Sequence, residues 1–286
     1  MNRLAPLALL MITVIWGWTF VIVKEGVGFV GPLTFLSLRF SLALLFLAIL
    51  FHRSLRRIDR HALFHGMLVG LVLFFGYFFQ TWGLIYTSAT KSGLITGLSV
   101  VIVPLLAAAL LKEKVHRSVW AGAFLAAGGL FLLVMGGAEV ATVNMGDFLT
   151  LLGAFAFAGH IILIDRFIHA IDYRSLLIVQ VGTVAVLSVI GALFFEPIPT
   201  HLPVALIHGV LITGLMATAL AFYILNRFQA YSTASYTAII LAMEPVFAGL
   251  FGFLLLGERL TALQGFGGGL LLIAICLPLF LRRGRV

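Results

Sequence analysis

Apolar runs long enough to cross a bilayer take up almost the whole chain. They fall at residues 4–23, 33–51, 62–84, 92–111, 118–137, 146–166, 174–195, 203–226, 234–256 and 262–281. A spanning helix needs about 20 apolar residues for a hydrocarbon core about 30 Å thick. We therefore read ten transmembrane spans, numbered 1 to 10 in chain order, in an all-α integral membrane protein. Of the 286 residues 62% are hydrophobic and 10% charged, against about 25% charged in a soluble domain. That balance excludes a water-soluble enzyme, and the spans leave no room for a soluble domain. Cys276 is the single cysteine, which removes disulfides and cysteine metal sites. Span 1 follows Arg3 but no small-residue cleavage site follows it, so it reads as a retained helix and not a signal peptide.

The few charges orient the chain. With the N-terminus in the cytoplasm, 14 of the 18 basic residues fall inside, in a set running from Arg3 and Arg53 through Lys112 and Arg174 to Arg285. Lys24, Lys91 and Arg259 fall outside and Arg39 within span 2. The loops around 138–144 and 196–202 hold no Lys or Arg. This asymmetry is the positive-inside pattern and predicts a multi-pass protein of the cytoplasmic membrane with both termini cytoplasmic. The net charge of +8 is thereby a signal for topology, and it does not point to nucleic acid.

The chain also repeats itself. Tyr86-Thr-Ser-Ala-Thr opens span 4 and Leu111-Lys-Glu-Lys-Val closes it; Tyr231-Ser-Thr-Ala-Ser opens span 9 and Leu256-Gly-Glu-Arg-Leu closes it, both at an offset of 145. Trp16 matches Phe157 and Arg39 matches Gln180 at 141, and His65-Gly66 matches His208-Gly209 at 143. Each half holds five spans, an odd number, so the second copy must enter the membrane from the opposite side. The expected units are residues 1–137 and 146–286, two inverted five-helix repeats. Pro104 precedes Glu113 by nine residues and Pro245 precedes Glu258 by thirteen, so the two proline kinks are expected about one turn apart.

Trp16-Gly-Trp-Thr-Phe of span 1, Leu38-Arg39-Phe40 of span 2, the Tyr-Thr-Ser-Ala stretch, and Glu244-Pro245 followed by Leu256-Gly257-Glu258-Arg259-Leu260 resemble the EamA-type drug/metabolite transporters over essentially the whole chain. The resemblance implies a ten-helix exporter of small metabolites, with a central cavity lined by spans 1, 3, 4, 6, 8 and 9 and with spans 5 and 10 peripheral. Lys112-Glu113-Lys114 departs from the usual Gly-Glu-Arg.

Polar groups inside a membrane are costly, at about 2.5–3.5 kcal/mol for an acid at mid-bilayer, so each needs a partner or a function. Glu244 lies ten residues into span 9 beside Pro245, whose missing N–H leaves the carbonyl of Leu241 free to line a cavity. It is either a proton-titrating or cation-binding carboxylate or a buried acid that fixes the kink. Arg39 either binds a substrate carboxylate or is a structural post bonded to backbone carbonyls; pairing of the two is open. A polar lining is expected from Trp16 and Thr19 of span 1, Tyr77 and Gln80 of span 3, Thr96 and Ser99 of span 4, His160 of span 6, Tyr223 and Asn226 of span 8 and Tyr236 of span 9. Interfacial tyrosines and interhelical hydrogen bonds are the competing account of that set. His160 is either pH-responsive or simply satisfied.

Gly122, Gly128 and Gly129 of span 5 and Gly265, Gly267, Gly268 and Gly269 of span 10 supply small faces for close helix approach, within the subunit or in a homodimer. His61 and His65 are spaced i, i+4, with no third ligand beside them, so neither a metal nor a cofactor is expected. No P-loop occurs, which excludes ATP as the direct driver. No HExxH, paired membrane aspartates or facing Ser-His set supports an enzyme. The expected function is a secondary transporter that exports a small organic solute such as an amino acid by alternating access, with protons as a candidate driver; a non-transporting membrane interaction protein and, behind it, an intramembrane enzyme are the alternatives.

Overall fold

The computed structural model describes residues 4–112, 114–135, 144–256 and 261–282. Glu113, the Gly257–Leu260 end of the second closing motif and the loop at 136–143 lie outside them. Span 1 is α1 (Leu4–Gly26), span 2 is α2 (Pro32–Leu50), followed by the single turn α3 (His52–Leu55), and span 3 is α4 (Arg60–Tyr86). Span 4 is two helices, α5 (Ala89–Gly97) and α6 (Ser99–Leu110), and span 5 is α7 (Arg117–Met135). In the second half come α8 (Met145–Phe167), α9 (Tyr173–Phe195), α10 (Val204–Gly214), a π-helical turn (Leu215–Leu220), α11 (Ala221–Gln229), α12 (Ala234–Leu241), α13 (Glu244–Leu256) and α14 (Ala262–Arg282). Joined across their breaks, eight segments among the described residues are long and apolar enough to cross a membrane. The other two, spans 5 and 10, appear as the shorter apolar helices Arg117–Leu133 and Ala262–Leu277.

The local chemistry of the helix ends explains the repeated motif. Ser88 accepts from the Lys91 N–H at 3.2 Å at the start of α5, and Thr233 accepts from the Tyr236 N–H at 3.3 Å at the start of α12. Ser and Thr at those equivalent places are N-caps, which satisfy amides that a new helix would otherwise leave bare. Asp59, Asp172 and an Asn144–Asp147 capping box begin α4, α9 and α8 in the same way. Lys112 takes a φ of 52° just after α6, the left-handed conformation in which glycine is at ease. Its partner at the 145 offset is Gly257.

The expected displacement of the two kinks is corrected. Span 4 breaks where the Leu98 N–H bonds the Ile95 carbonyl at 3.1 Å, and span 9 breaks where the Met243 N–H bonds the Ile240 carbonyl at 3.1 Å. These tightened turns coincide under the 145 offset. The prolines do not place them: Pro104 lies within α6, beyond the break, whereas Pro245 is the second residue of α13.

Packing obeys the same exchange. α4 runs along α8 and α9, and α5 and α6 lie on α8; in the corresponding places α1 packs on α10, α11, α12 and α13, and α2 on α10. Two bundles result: α4, α5, α6, α8 and α9 in one, α1, α2 and α10 through α13 in the other. They meet along α2 and α9, while α7 and α14 pair with each other at the periphery. Glycines permit the closest crossings. A Cβ on Gly146 of α8 would lie 2.5 Å from the Gly83 carbonyl of α4, and one on Gly129 of α7 would lie 2.7 Å from the Gly267 carbonyl of α14. Gly128, Gly265 and Gly269 face open space instead.

This contrast between neighbours yields a prediction. Gly129→Val forces a side chain onto backbone and is expected to lower the thermal midpoint of the detergent-solubilised protein by several degrees, corresponding to about 1–3 kcal/mol of overpacking. Gly128→Val, one residue away, is expected to leave it within a degree or two.

Candidate functional site

A cavity of about 70 Å³ lies between the two bundles, several times the roughly 10–15 Å³ that admits one water. Its wall brings together Trp16 and Thr19 of α1, Arg39 of α2, Tyr77 and Gln80 of α4, Thr96 of α5, Ser99 of α6, His160 of α8 and Glu244 of α13. Phe20, Val23, Leu84, Gly97, Phe157, Ile161, Phe222, Leu225 and Leu241 complete it. Arg39 thus adds span 2 to the lining, and neither α7 nor α14 contributes to it.

Arg39 is only 3% exposed. Its Nε donates to Thr218 Oγ1 at 2.7 Å and one terminal nitrogen to the Tyr77 hydroxyl at 3.3 Å, while the guanidinium lies 4.6 Å from the Tyr77 ring centre. Its second contact with span 8, the Ala217 carbonyl at 3.5 Å, also accepts from Trp16 Nε1 at 2.8 Å. Thr218 and Ala217 face Arg39 from the π-helical turn, where Thr218 Oγ1 donates to the carbonyl of Thr213 five residues back at 2.9 Å. A π-turn inserts a residue without ending the helix and is frequent at functional sites. No acid neutralises Arg39 among the described residues: the one ion pair there is Lys91–Asp147 at 2.5 Å, at the far end of α5 and α8. Arg39 and Glu244 therefore share a cavity without pairing. No hydrogen bond to the Glu244 carboxylate is found among the described residues, which leaves it open to the cavity.

His160 anchors a second polar chain. Its Nε2 lies 2.7 Å from Gln180 Oε1; Gln180 Nε2 donates to Asn226 Oδ1 at 2.9 Å; Asn226 Nδ2 donates to the Phe222 carbonyl at 2.9 Å. The terminal carbonyl can only accept, so each amide in turn must present its oxygen to the previous member. The proton of this contact therefore sits on His160 Nε2. Gln180 stands where the repeat places Arg39, and it takes the same central position with a neutral group. Gln80 Nε2 donates to Thr96 Oγ1 at 3.0 Å, joining α4 to α5.

Three expected lining residues lie elsewhere. Tyr223 stacks on Phe51 at 5.7 Å and accepts from Arg227 at 2.5 Å, at the end of the bundle that carries the basic loops. Asn226 lies behind the cavity, bonded to Gln180, and faces a separate pocket of about 430 Å³ with Asp172, Arg174 and Arg227. Tyr236 is buried with its hydroxyl 3.5 Å from the Ile275 carbonyl of α14. The correction has a physical cause in span 8, where the π-turn shifts the helical phase so that Phe222 and Leu225 face inward. Phe157 was recoverable from its pairing with Trp16 in the repeat; the apolar lining of α4, α8 and α11 carried no polar signal. His65 Nδ1 lies 2.9 Å from the His61 carbonyl on the exposed surface of α4.

Comparison with known proteins agrees with this architecture. The EamA-like transporter family model matches residues 3–135 and again 144–280. An uncharacterized transporter of Archaeoglobus fulgidus is 34% identical over 271 residues, covering 95% of this chain and 84% of that protein. The uncharacterized transporter YoaV of Bacillus subtilis is 26% identical, covering 89% of each. A solved crystal structure superposes with a TM-score of 0.82 over the full length of both chains at 19% identity, a likeness of fold. With its two tandem family matches, one on each half of the sequence, the chain belongs to the EamA-like transporter family.

Proposed function

We propose that this membrane transporter is a secondary transporter that carries a small organic solute, an amino acid or a similar compound, outward across the cytoplasmic membrane. The observation that supports it is one cavity, set between two bundles of matching packing, in which a buried cation and a half-buried acid face the same space without pairing. A solute bearing a carboxylate would complete Arg39, and its amine would meet Glu244. Trp16, Tyr77, Phe157 and Phe222 offer apolar faces to the remainder. The exchange symmetry of the packing supports two inverted five-helix repeats, 1–137 and 146–286, ten spans in all. Rocking of one bundle against the other about the cavity would expose it to each side in turn. The crowding of basic residues at one end supports cytoplasmic termini. Glu244 is the group we assign to proton coupling.

Purified protein in proteoliposomes, screened against amino acids, sugars, nucleosides and polyamines, tests this. Counterflow of at least one zwitterionic solute is expected, and no flux or binding across the panel would favour a non-transporting protein. Arg39→Met should reduce that flux about tenfold or more, the effect of losing one charge-assisted hydrogen bond to substrate; parent-like flux would remove Arg39 from the site. Glu244→Gln should lower exchange by loss of the amine contact, and the exchange that remains should no longer follow an imposed pH gradient; a variant that does follow it would remove the assigned coupling role.

A further inference from the structure

The two ends of the cavity are closed by different chemistry. At the end away from the basic loops, Lys24 of α1 reaches across to the other bundle, where its Nζ donates to the carbonyls of Leu84 and, at 2.9 Å, of Thr87, at the C-terminal end of α4. At the same end Glu196, after α9, reaches in the other direction, to the bundle of α1 and α2: its carboxylate accepts from the Leu33 N–H at 2.9 Å, the Thr34 N–H at 2.8 Å and the Thr34 hydroxyl at 2.7 Å, at the start of α2. A cation at a helix C-terminus and an anion at an N-terminus are the two favourable pairings of charge with the helix dipole. Gly31 makes the second one possible, since a Cβ there would lie 2.2 Å from the Glu196 carboxyl carbon. Between the two contacts Phe20, Val23, Phe35, Leu84 and Leu206 form a buried apolar cluster drawn from both bundles. Phe20, Val23 and Leu84 also form the cavity wall at that end.

The opposite end is thin. Leu225 faces the cavity while the next residue, Asn226, faces the pocket beside exposed Arg227. The bundles are tied there by neutral groups, Gln180 to Asn226 and Gln229 Nε2 to the Ile161 carbonyl at 2.7 Å.

We infer that Lys24 and Glu196 are gating residues: each clamps a helix end of the opposite bundle, and release of the two clamps opens the central cavity to the outside. The conformation described is the outward-closed one. The inference rests on the transport reading for its purpose and on the basic-loop orientation for the word outside.

Cysteine accessibility tests it without knowledge of the substrate. In a Cys276→Ser background, Ser99→Cys places a reporter in the cavity wall, and Ile198→Cys, on the loop after α9, identifies the outer face. A membrane-impermeant maleimide should label Ser99→Cys faster in inside-out than in right-side-out vesicles; the reverse ratio overturns the inference with no gate variant needed. Lys24→Met, and separately Gly31→Ala, should raise labelling from the outer face about tenfold, the scale of population shift that loss of one charge at a helix end produces. Lys24→Arg, which keeps the charge, should stay at the parent rate. Unchanged rates in both Lys24→Met and Gly31→Ala overturn the gate, as does a Lys24→Arg as open as Lys24→Met. Labelling of Ile198→Cys from the inner side would instead refute the orientation, and absence of flux with an intact gate response would refute transport alone.

Discussion

Inside a bilayer there is no water to satisfy a polar group, and this fold is organised around where such groups find partners within the protein. Arg39 is the extreme case. A guanidinium has five donors and cannot shed its charge, yet here it is held by a threonine hydroxyl, a tyrosine hydroxyl, a long carbonyl contact and an aromatic face. The π-turn of span 8 is the structural counterpart of that demand, since it turns Ala217 and Thr218 toward Arg39 and Trp16. What the surrounding residues leave incomplete is the counter-charge, and that incompleteness sits on a cavity.

Duplication explains why the cavity lies at the centre. The two halves carry the same caps, the same breaks in spans 4 and 9 and the same packing partners, so any space between the bundles is lined by equivalent helices from each half. The chemistry placed on that frame is not symmetric. Arg39 in one half corresponds to Gln180 in the other, Thr19 to His160, and charged clamps at one end to neutral amides at the other. The equal frame thus carries unequal contacts at its two ends.

Much of this was legible beforehand. Nine of the twelve residues named for the site from sequence line the cavity, since intramembrane polarity is costly enough that a polar residue on an apolar helix marks an interior face. The three that do not, Tyr223, Asn226 and Tyr236, rest on the same reading of polarity and helical spacing, which fails where a π-turn changes the phase or where a tyrosine finds a neighbouring helix instead. The glycines that bring α4 and α8 into backbone contact, Gly83 and Gly146, carried no cue in a sequence with 30 glycines. Only the approach of a second backbone distinguishes them from Gly128.

By itself the sequence determined the membrane as solvent, the spans, the repeat, the orientation expected from its basic loops and the identity of the costly polar groups, because each of these follows from transfer energies read along one chain. Tertiary structure alone decided which of those groups share a space and which are paired. Lys24 and Glu196 look like loop charges until helix ends some 60 and 160 residues distant along the chain are seen beneath them. Arg39 and Glu244 look like a natural ion pair until the packing holds them apart. Contact between elements remote in sequence depends on how bundles dock, and no local propensity or transfer energy encodes that geometry.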